Sequence, residues 1–435
     1  MPTRVWALPR SRCSSADPRE ALPGMTNAKA PSPDVVDADA DVVVTQDLRG
    51  TRALLAVAGL FAVNGVLIGG FGATLPAMRE RLGVGAGGLA VLLVSLSTAA
   101  VLSMQIGGRL ADSRGARNVA LPACALLIAG IASLAFAPTL PFACAAAALA
   151  GLGNGAMDVS MNALGVRVEQ ARVKPVMSRL HACFSIGTLA GAAAVVLIAR
   201  LVGDGGGLVT TALATLSALS VVAWMAISPG VPSTAPVIAV RRSAGGPRLP
   251  AGALLLGAMA FSFGLAEGTA MDWSSVQVTD VARVEPSTGA LGLVAVSAFM
   301  VLIRLFGDRA VAAFGRANVV RFGGLVAAAG YLVAILGQPL PVLLAGWALV
   351  GLGVGMIAPQ VYAAAGHAGG GRMLAVVVTF GYGAFLIGPA IIGALIGQVG
   401  IRHAMALPLT LSVVLVALSR VLSRTESVSE QPSVR

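Results

Sequence analysis

Long apolar runs, not an alternation of apolar and polar positions, dominate this chain. The first covers about 53–75, and others follow at about 87–107, 118–137, 140–163, 180–200 and 207–228. Six more lie at about 251–271, 287–306, 318–337, 340–364, 372–396 and 402–422. Each is close to the roughly 20 residues that a helix needs to cross hydrocarbon. The pattern predicts an all-α polytopic membrane protein with 12 transmembrane helices in two six-helix bundles, 51–228 and 251–422. A cytoplasmic linker rich in Pro, Gly, Ser and Arg is expected at 229–250. A disordered cytoplasmic tail at 1–50 and a shorter one at 423–435 complete the layout. Residues 1–50 lack the apolar centre of a cleavable signal peptide, so the first run is expected to act as an uncleaved anchor. Met25 is an alternative to Met1 as the translation start.

Composition agrees with the pattern. Hydrophobic residues make up 57% of the 435, and charged residues only 11%, against about 25% in soluble domains; mean hydropathy is +0.86. These figures exclude an ordinary cytosolic enzyme, a disordered chain and a disulfide scaffold. Unbroken apolar runs also exclude an outer-membrane barrel, whose strands alternate. The net charge of +11 would suggest nucleic acid in a soluble protein, but here it orients the chain. Of 30 Lys and Arg, 24 fall in the tails, the linker and the loops on the side of the termini; 5 fall in the opposite loops, and Arg304 lies within a span. The positive-inside rule places both termini in the cytoplasm and the protein in the inner membrane, with the bilayer and not nucleic acid as its partner. Four cysteines without a CxxC pair (Cys13, Cys124, Cys144, Cys183) and three His give no basis for a disulfide, a metal site or a cofactor.

The chain repeats itself at an offset of 200. The stretch 107–119 aligns with 307–319 through Gly107/Gly307, Arg109/Arg309, Gly115/Gly315, Asn118/Asn318 and Val119/Val319. Gly151, Leu152, Gly153 and Gly155 fall on Gly351, Leu352, Gly353 and Gly355. Six spans return a chain to its starting side, so the two halves share an orientation.

Twelve spans in two parallel halves, with a Gly108-x-x-x-Asp112-x-x-Gly115-x-Arg117 loop between spans 2 and 3, resemble the major facilitator superfamily. The resemblance implies alternating access of two bundles around a solute, with Gly108, Asp112, Gly115, Arg117, Asp308 and Arg309 as a conformational latch. Ser113 stands where the family usually has Arg. A narrower resemblance rests on several blocks. They are Gly153-x-Gly155-x-x-Asp158-Val159-x-Met161-Asn162, His181-x-x-Phe184-Ser185-x-Gly187, Glu267-Gly268-x-x-x-Asp272-Trp273-Ser274, Arg304-x-x-Gly307-Asp308-Arg309 and Phe385-Leu386-Ile387-Gly388-Pro389. These are similar to the YbjJ-type inner-membrane permeases near the fucose-permease-like branch, which implies a sugar-like solute. The chain departs from that branch in span 1, where no acid precedes Pro76.

Ionisable side chains at bilayer depth are costly and tend to face a cavity or a partner. Asp158 and Glu267 are the candidate proton-coupling residues; Asn64, Asn162, His181, Asp272 and Arg304 are candidate substrate contacts. Asp158 and Asn162 share a helix face at i,i+4, and the alternative is a structural pair. Glu267 is placed in the outer third of span 7, with Asp272 nearer the interface and Trp273 as an aromatic belt anchor. Arg304 is expected to snorkel toward the cytoplasm, and it meets Glu267 only if the segment bends. His181 could equally be a hydrogen-bonded structural residue, and Asn64 an interhelical hydrogen bond. Pro359 and Pro389 are expected to kink spans 10 and 11. The leading expectation is a monomeric secondary transporter of a small solute driven by protons, without enzymatic activity. Proton-driven export of a drug or metabolite is its rival, and a non-transporting membrane sensor is a remote alternative.

Overall fold

The computed structural model describes residues 48, 50–172, 176–205, 207–234 and 251–429. The tail to residue 47 with Met25, most of the linker, the last six residues and the side chain of Asp308 lie outside the described residues. The first set of helices is α1 Thr51–Leu82, α2 Ala86–Arg114, α3 Arg117–Ala135, α4 Leu140–Gln170, α5 Met177–Val202 and α6 Gly207–Ile227. The second is α7 Ala251–Ala282, the short α8 Pro286–Gly289, α9 Leu291–Phe314, α10 Arg316–Leu336, α11 Leu340–Val354, α12 Ile357–Ala404 and α13 Ala406–Ser429. Among the described residues eleven helical stretches are long and apolar enough to cross a membrane, and the apolar part of α13, Ala406–Arg420, is shorter.

Several boundaries differ from the expectation, and two of them change the layout. The chain breaks at Gly355–Met356 and then stays helical to Ala404, where a loop was expected near 365–371. Pro359 explains the break. It has no N–H to give the carbonyl four residues back, which is that of Gly355. Pro389, in contrast, lies within the continuous helix α12. At the chain's end the helix persists to Ser429, into the stretch expected as a tail.

The repeat is a packing device. A Cβ on Gly151 would lie 2.1 Å from the Leu96 carbonyl oxygen, and one on Gly351 would lie 2.1 Å from that of Val296. Gly153 meets the Leu127 backbone nitrogen at 2.2 Å and Gly353 meets that of Ala327 at 2.4 Å. Each neighbour is itself displaced by 200 residues, so α4 wedges between α2 and α3 as α11 wedges between α9 and α10. The turn after α2 repeats as well. Gly115 and Gly315 adopt φ of 88° and 74°, and Asn118 and Asn318 each donate a side-chain hydrogen bond to the carbonyl four residues back.

The two sets meet along α2 with α12, α5 with α9, and α1 with α7. At the end remote from the start of α1, here the distal end, Arg79 of α1 makes a two-pronged ion pair with Asp280 of α7. Beside it, Asp204 accepts from the Ser287 backbone N–H at 2.7 Å and hydroxyl at 2.8 Å. Gly393 of α12 also seats on Ala90 of α2 so closely that a Cβ there would lie 2.3 Å from the Ala90 Cβ.

Enlarging Gly153 or Gly353 to Leu drives a side chain into a neighbouring backbone, and overpacking of this kind costs about 1–3 kcal/mol. Either variant is expected to melt at lower temperature in detergent. Gly397→Ala, with nothing within 4 Å of its new methyl, should melt like the parent; equal melting of all three would remove the wedge argument.

Candidate functional site

A cavity of about 270 Å³ lies between the two helix sets. From the first set come Ile68 of α1, Leu96, Ser97, Ala100, Val101 and Met104 of α2, Asn154 and Asp158 of α4, and Phe184, Ser185 and Thr188 of α5. From the second come Glu267, Gly268, Met271 and Asp272 of α7, Ser297 and Met300 of α9, and Tyr382 and Phe385 of α12. The wall is mostly apolar, with carboxylates and hydroxyls set into it.

Arg304 stands behind this wall and binds three helices together. Its Nη2 donates to Glu267 Oε1 at 3.2 Å, its Nε to the Gly355 carbonyl at 3.1 Å, and its Nη1 to the Ser185 hydroxyl. The Gly355 carbonyl is the one that Pro359 leaves without a helical donor. Ser185 in turn donates to the His181 carbonyl at 3.2 Å. Arg304 therefore does not snorkel. Glu267 lies near the middle of α7 and not in its outer third, which places it within reach of a mid-helix arginine on α9.

Asp158 forms the second connection between the sets. Its Oδ2 accepts from the Tyr382 hydroxyl of α12 at 3.0 Å, and its Oδ1 accepts from Asn162 Nδ2 at 3.2 Å. Asn162 also donates to the Asp158 carbonyl at 2.8 Å. Asn162 thus positions Asp158 and does not line the cavity.

The remaining candidates separate. Asp272 faces the cavity, not the interface, and Trp273 is fully buried and cannot anchor an aromatic belt. A buried Trp on the distal half of α7 means that another helix, not lipid headgroups, covers that face. Asn64 is buried on α1 outside the cavity, with its carbonyl oxygen lacking a partner. His181 packs edge-on against Phe61 at 5.3 Å between ring centroids and does not line the cavity either.

In the expected latch, Gly115 lies against the Thr234 carbonyl, and the Ala116 N–H donates to the Thr234 hydroxyl at 3.0 Å. Arg117 donates to the Ser233 hydroxyl at 3.4 Å and the Ser228 carbonyl at 3.3 Å. These contacts tie the turn to the chain leaving α6 rather than to the second helix set. Asp112 and Arg309 are exposed, and a Cβ on Gly108 would lie 3.5 Å from the Val159 side chain, in ordinary van der Waals contact.

Sequence reasoning missed Tyr382, Ser185 and the Arg79–Asp280 pair. Tyr382 had a signal: the chain has only three Tyr, and all three lie in the second half within α10 or α12. Ser185 had none, because a Ser in a span looks the same facing a guanidinium or its own helix.

No protein-family model matches the chain. Among curated proteins it is 35% identical over 350 residues to the uncharacterized transporter y4wD of Sinorhizobium fredii, covering 78% of this chain and 90% of that protein. An uncharacterized MFS-type transporter of Yersinia pestis is 30% identical over 342 residues, covering 77% and 86%. The chain belongs to the major facilitator superfamily. It is a multi-pass membrane transporter and not an enzyme. The membrane protein MosC of Rhizobium meliloti is 28% identical over 389 residues, covering 87% and 92%. Solved structures share the fold at low identity. A point variant of the nucleoside transporter NupG superposes with a TM-score of 0.67 at 14% identity, covering 85% of this chain and 99% of that one. The human organic anion transporter MFSD10 follows at 0.62 and 15%, covering 85% and 99%.

Removing one member of a buried ion pair costs about 3–5 kcal/mol, because the other charge is stranded. Arg304→Met should therefore lower the melting temperature sharply, and the double variant with Glu267→Gln should recover much of the loss. A double variant no more stable than Arg304→Met would show that the ion pair is not what Arg304 contributes.

Proposed function

We propose that this superfamily transporter moves a small solute through the central cavity by alternating access of its two bundles, and that protons drive it through Asp158. The observation that carries the reading is the Tyr382–Asp158 hydrogen bond, which joins a carboxylate of one bundle to a hydroxyl of the other. A hydrogen bond to a carboxylate is stronger than one to a neutral acid. Protonating Asp158 weakens that cross-bundle bond, so the proton inventory of the cavity and the separation of the bundles become one equilibrium.

The excess of basic residues supports a cytoplasmic location for the end that holds the termini. On that reading the distal end faces outward. The Arg79–Asp280 pair, the Asp204–Ser287 contacts and the Gly393–Ala90 seat then close the outer mouth. Uptake requires these contacts to break while the inner ends close. The Arg117 and Gly115 contacts with residues 228–234 hold the start of the linker to the first bundle as it moves. Resemblance to the fucose-permease-like branch makes sugar-like solutes the first class to test. Proton-driven export is the second reading, favoured by α1, which brings only Ile68 and no acid to the cavity.

Asp158→Asn removes the titratable group but keeps a hydrogen-bonding side chain. In proteoliposomes it should lose solute accumulation under an imposed pH gradient while retaining solute exchange. Tyr382→Phe should weaken accumulation less severely. Accumulation at the parental rate in Asp158→Asn would return Asp158 to a structural role.

A further inference from the structure

We infer that the cavity takes a small organic cation, a solute carrying a protonated amine, with Asp272 as its counter-ion. The inference rests on the transport reading above and names the substrate class of that same site. Three carboxylates line the cavity, and two of them are satisfied by the protein. Glu267 is matched by Arg304, and Asp158 accepts from Tyr382 and Asn162. Asp272 makes no hydrogen bond or ion pair with any described residue, yet it lines the cavity. Ser297 of α9, also on the wall, holds a buried hydroxyl without a partner.

A carboxylate removed from bulk water and left unpaired is expensive, so it carries either a proton or a cation. An ammonium group answers both orphans, because it brings one positive charge and three donors. An anion finds no answer there. Among the described residues no Lys or Arg lines the cavity, and Arg304 behind it is already engaged with Glu267, Gly355 and Ser185. The apolar wall of Ile68, Leu96, Met104, Phe184, Met271 and Phe385 suits a carbon skeleton.

Because proton and ammonium compete for one carboxylate, an amine that binds the protonated form displaces the proton of Asp272 into solvent. Linkage then weakens amine binding as pH falls. The titratable groups sharing the space are Asp158 from α4, Glu267 from α7 itself and Tyr382 from α12, with Arg304 of α9 behind Glu267; α1, α2 and α5 bring none to the wall.

The test uses the purified full chain and two matched trios: glucosamine, glucose and glucuronate; phenethylamine, 2-phenylethanol and phenylacetate. Affinity is read from thermal stabilisation, and proton release from a pH dye in weak buffer. The amine of at least one trio should bind about tenfold or more tightly than its neutral and acidic counterparts, with release of a proton. Its affinity should fall by up to about tenfold per pH unit in acid. Asp272→Asn should lose the preference and the proton release, and Asp272→Glu should keep both. If Asp272→Asn does not fold, the parent and Asp272→Glu carry the comparison. Failure of both amines to bind, binding without proton release, or preference for a neutral or acidic member overturns the assignment. A neutral or acidic solute that binds best and accumulates under a pH gradient sinks the amine and leaves proton-coupled transport standing. An amine that binds with proton release but never moves under a gradient does the reverse.

Discussion

A guanidinium at bilayer depth is the constraint to which the rest of the structure answers. Charged side chains there cost about 2.5–3.5 kcal/mol even on the mildest scale, so Arg304 persists only where acceptors surround it. Two of the three come from its own bundle: the Glu267 carboxylate and the Gly355 carbonyl. The third, Ser185, comes from the other bundle. Asp158 follows the same plan, with Asn162 on its own helix and Tyr382 across the interface. Arg304 thus has two partners that travel with it and Asp158 one, and each has one partner across the interface that can be exchanged. Under alternating access, rocking the bundles breaks only the exchangeable bonds, so neither charge is left bare at any stage. At the distal end the arrangement differs. Arg79 and Asp280 belong to opposite bundles, and in the proposed cycle both heads meet water when they part.

Such polar contacts require helices held closely and in register. The Gly-rich stretches of α4 and α11 supply this by letting backbone touch backbone, and they do so twice with the same neighbours displaced by 200 residues. Small-residue contacts of this kind suit a membrane interior, where burial from water contributes little to helix association and close packing must contribute more. The same stretches deliver chemistry. Asp158 follows Gly155 on α4, and in the second half Gly355 stands at the break beside Pro359, with its carbonyl turned to Arg304.

The architecture was legible in the sequence because hydrocarbon permits few solutions. Apolar runs of fixed length, a basic bias on one side and an internal repeat leave little besides a two-bundle helical fold. Asp158, Glu267, Asp272 and Arg304 were legible as well, since ionisable residues are scarce in the spans. Their geometry was not. Linear position suggested that Arg304 would reach toward the headgroups and that Trp273 would sit among them. Whether a side chain on a spanning helix faces lipid, a neighbour or the cavity depends on helix rotation, which weakly amphipathic helices do not encode. Tyr382 and Ser185 matter only through residues more than a hundred positions away, a pairing that no local pattern carries.

The central claim is that the two ends of the bundle pair open reciprocally about the Arg304 and Asp158 connections. Pulsed electron–electron distance measurements test it most directly on a cysteine-free background. One spin-label pair at Gly85 and Gly400 reports the distal end; a second at Ser113 and Phe314 reports the end bearing the termini. Acidification across the titration of the cavity is predicted to change the two distance distributions in opposite directions. Distributions that shift in the same direction, or that do not shift at all, would contradict the account.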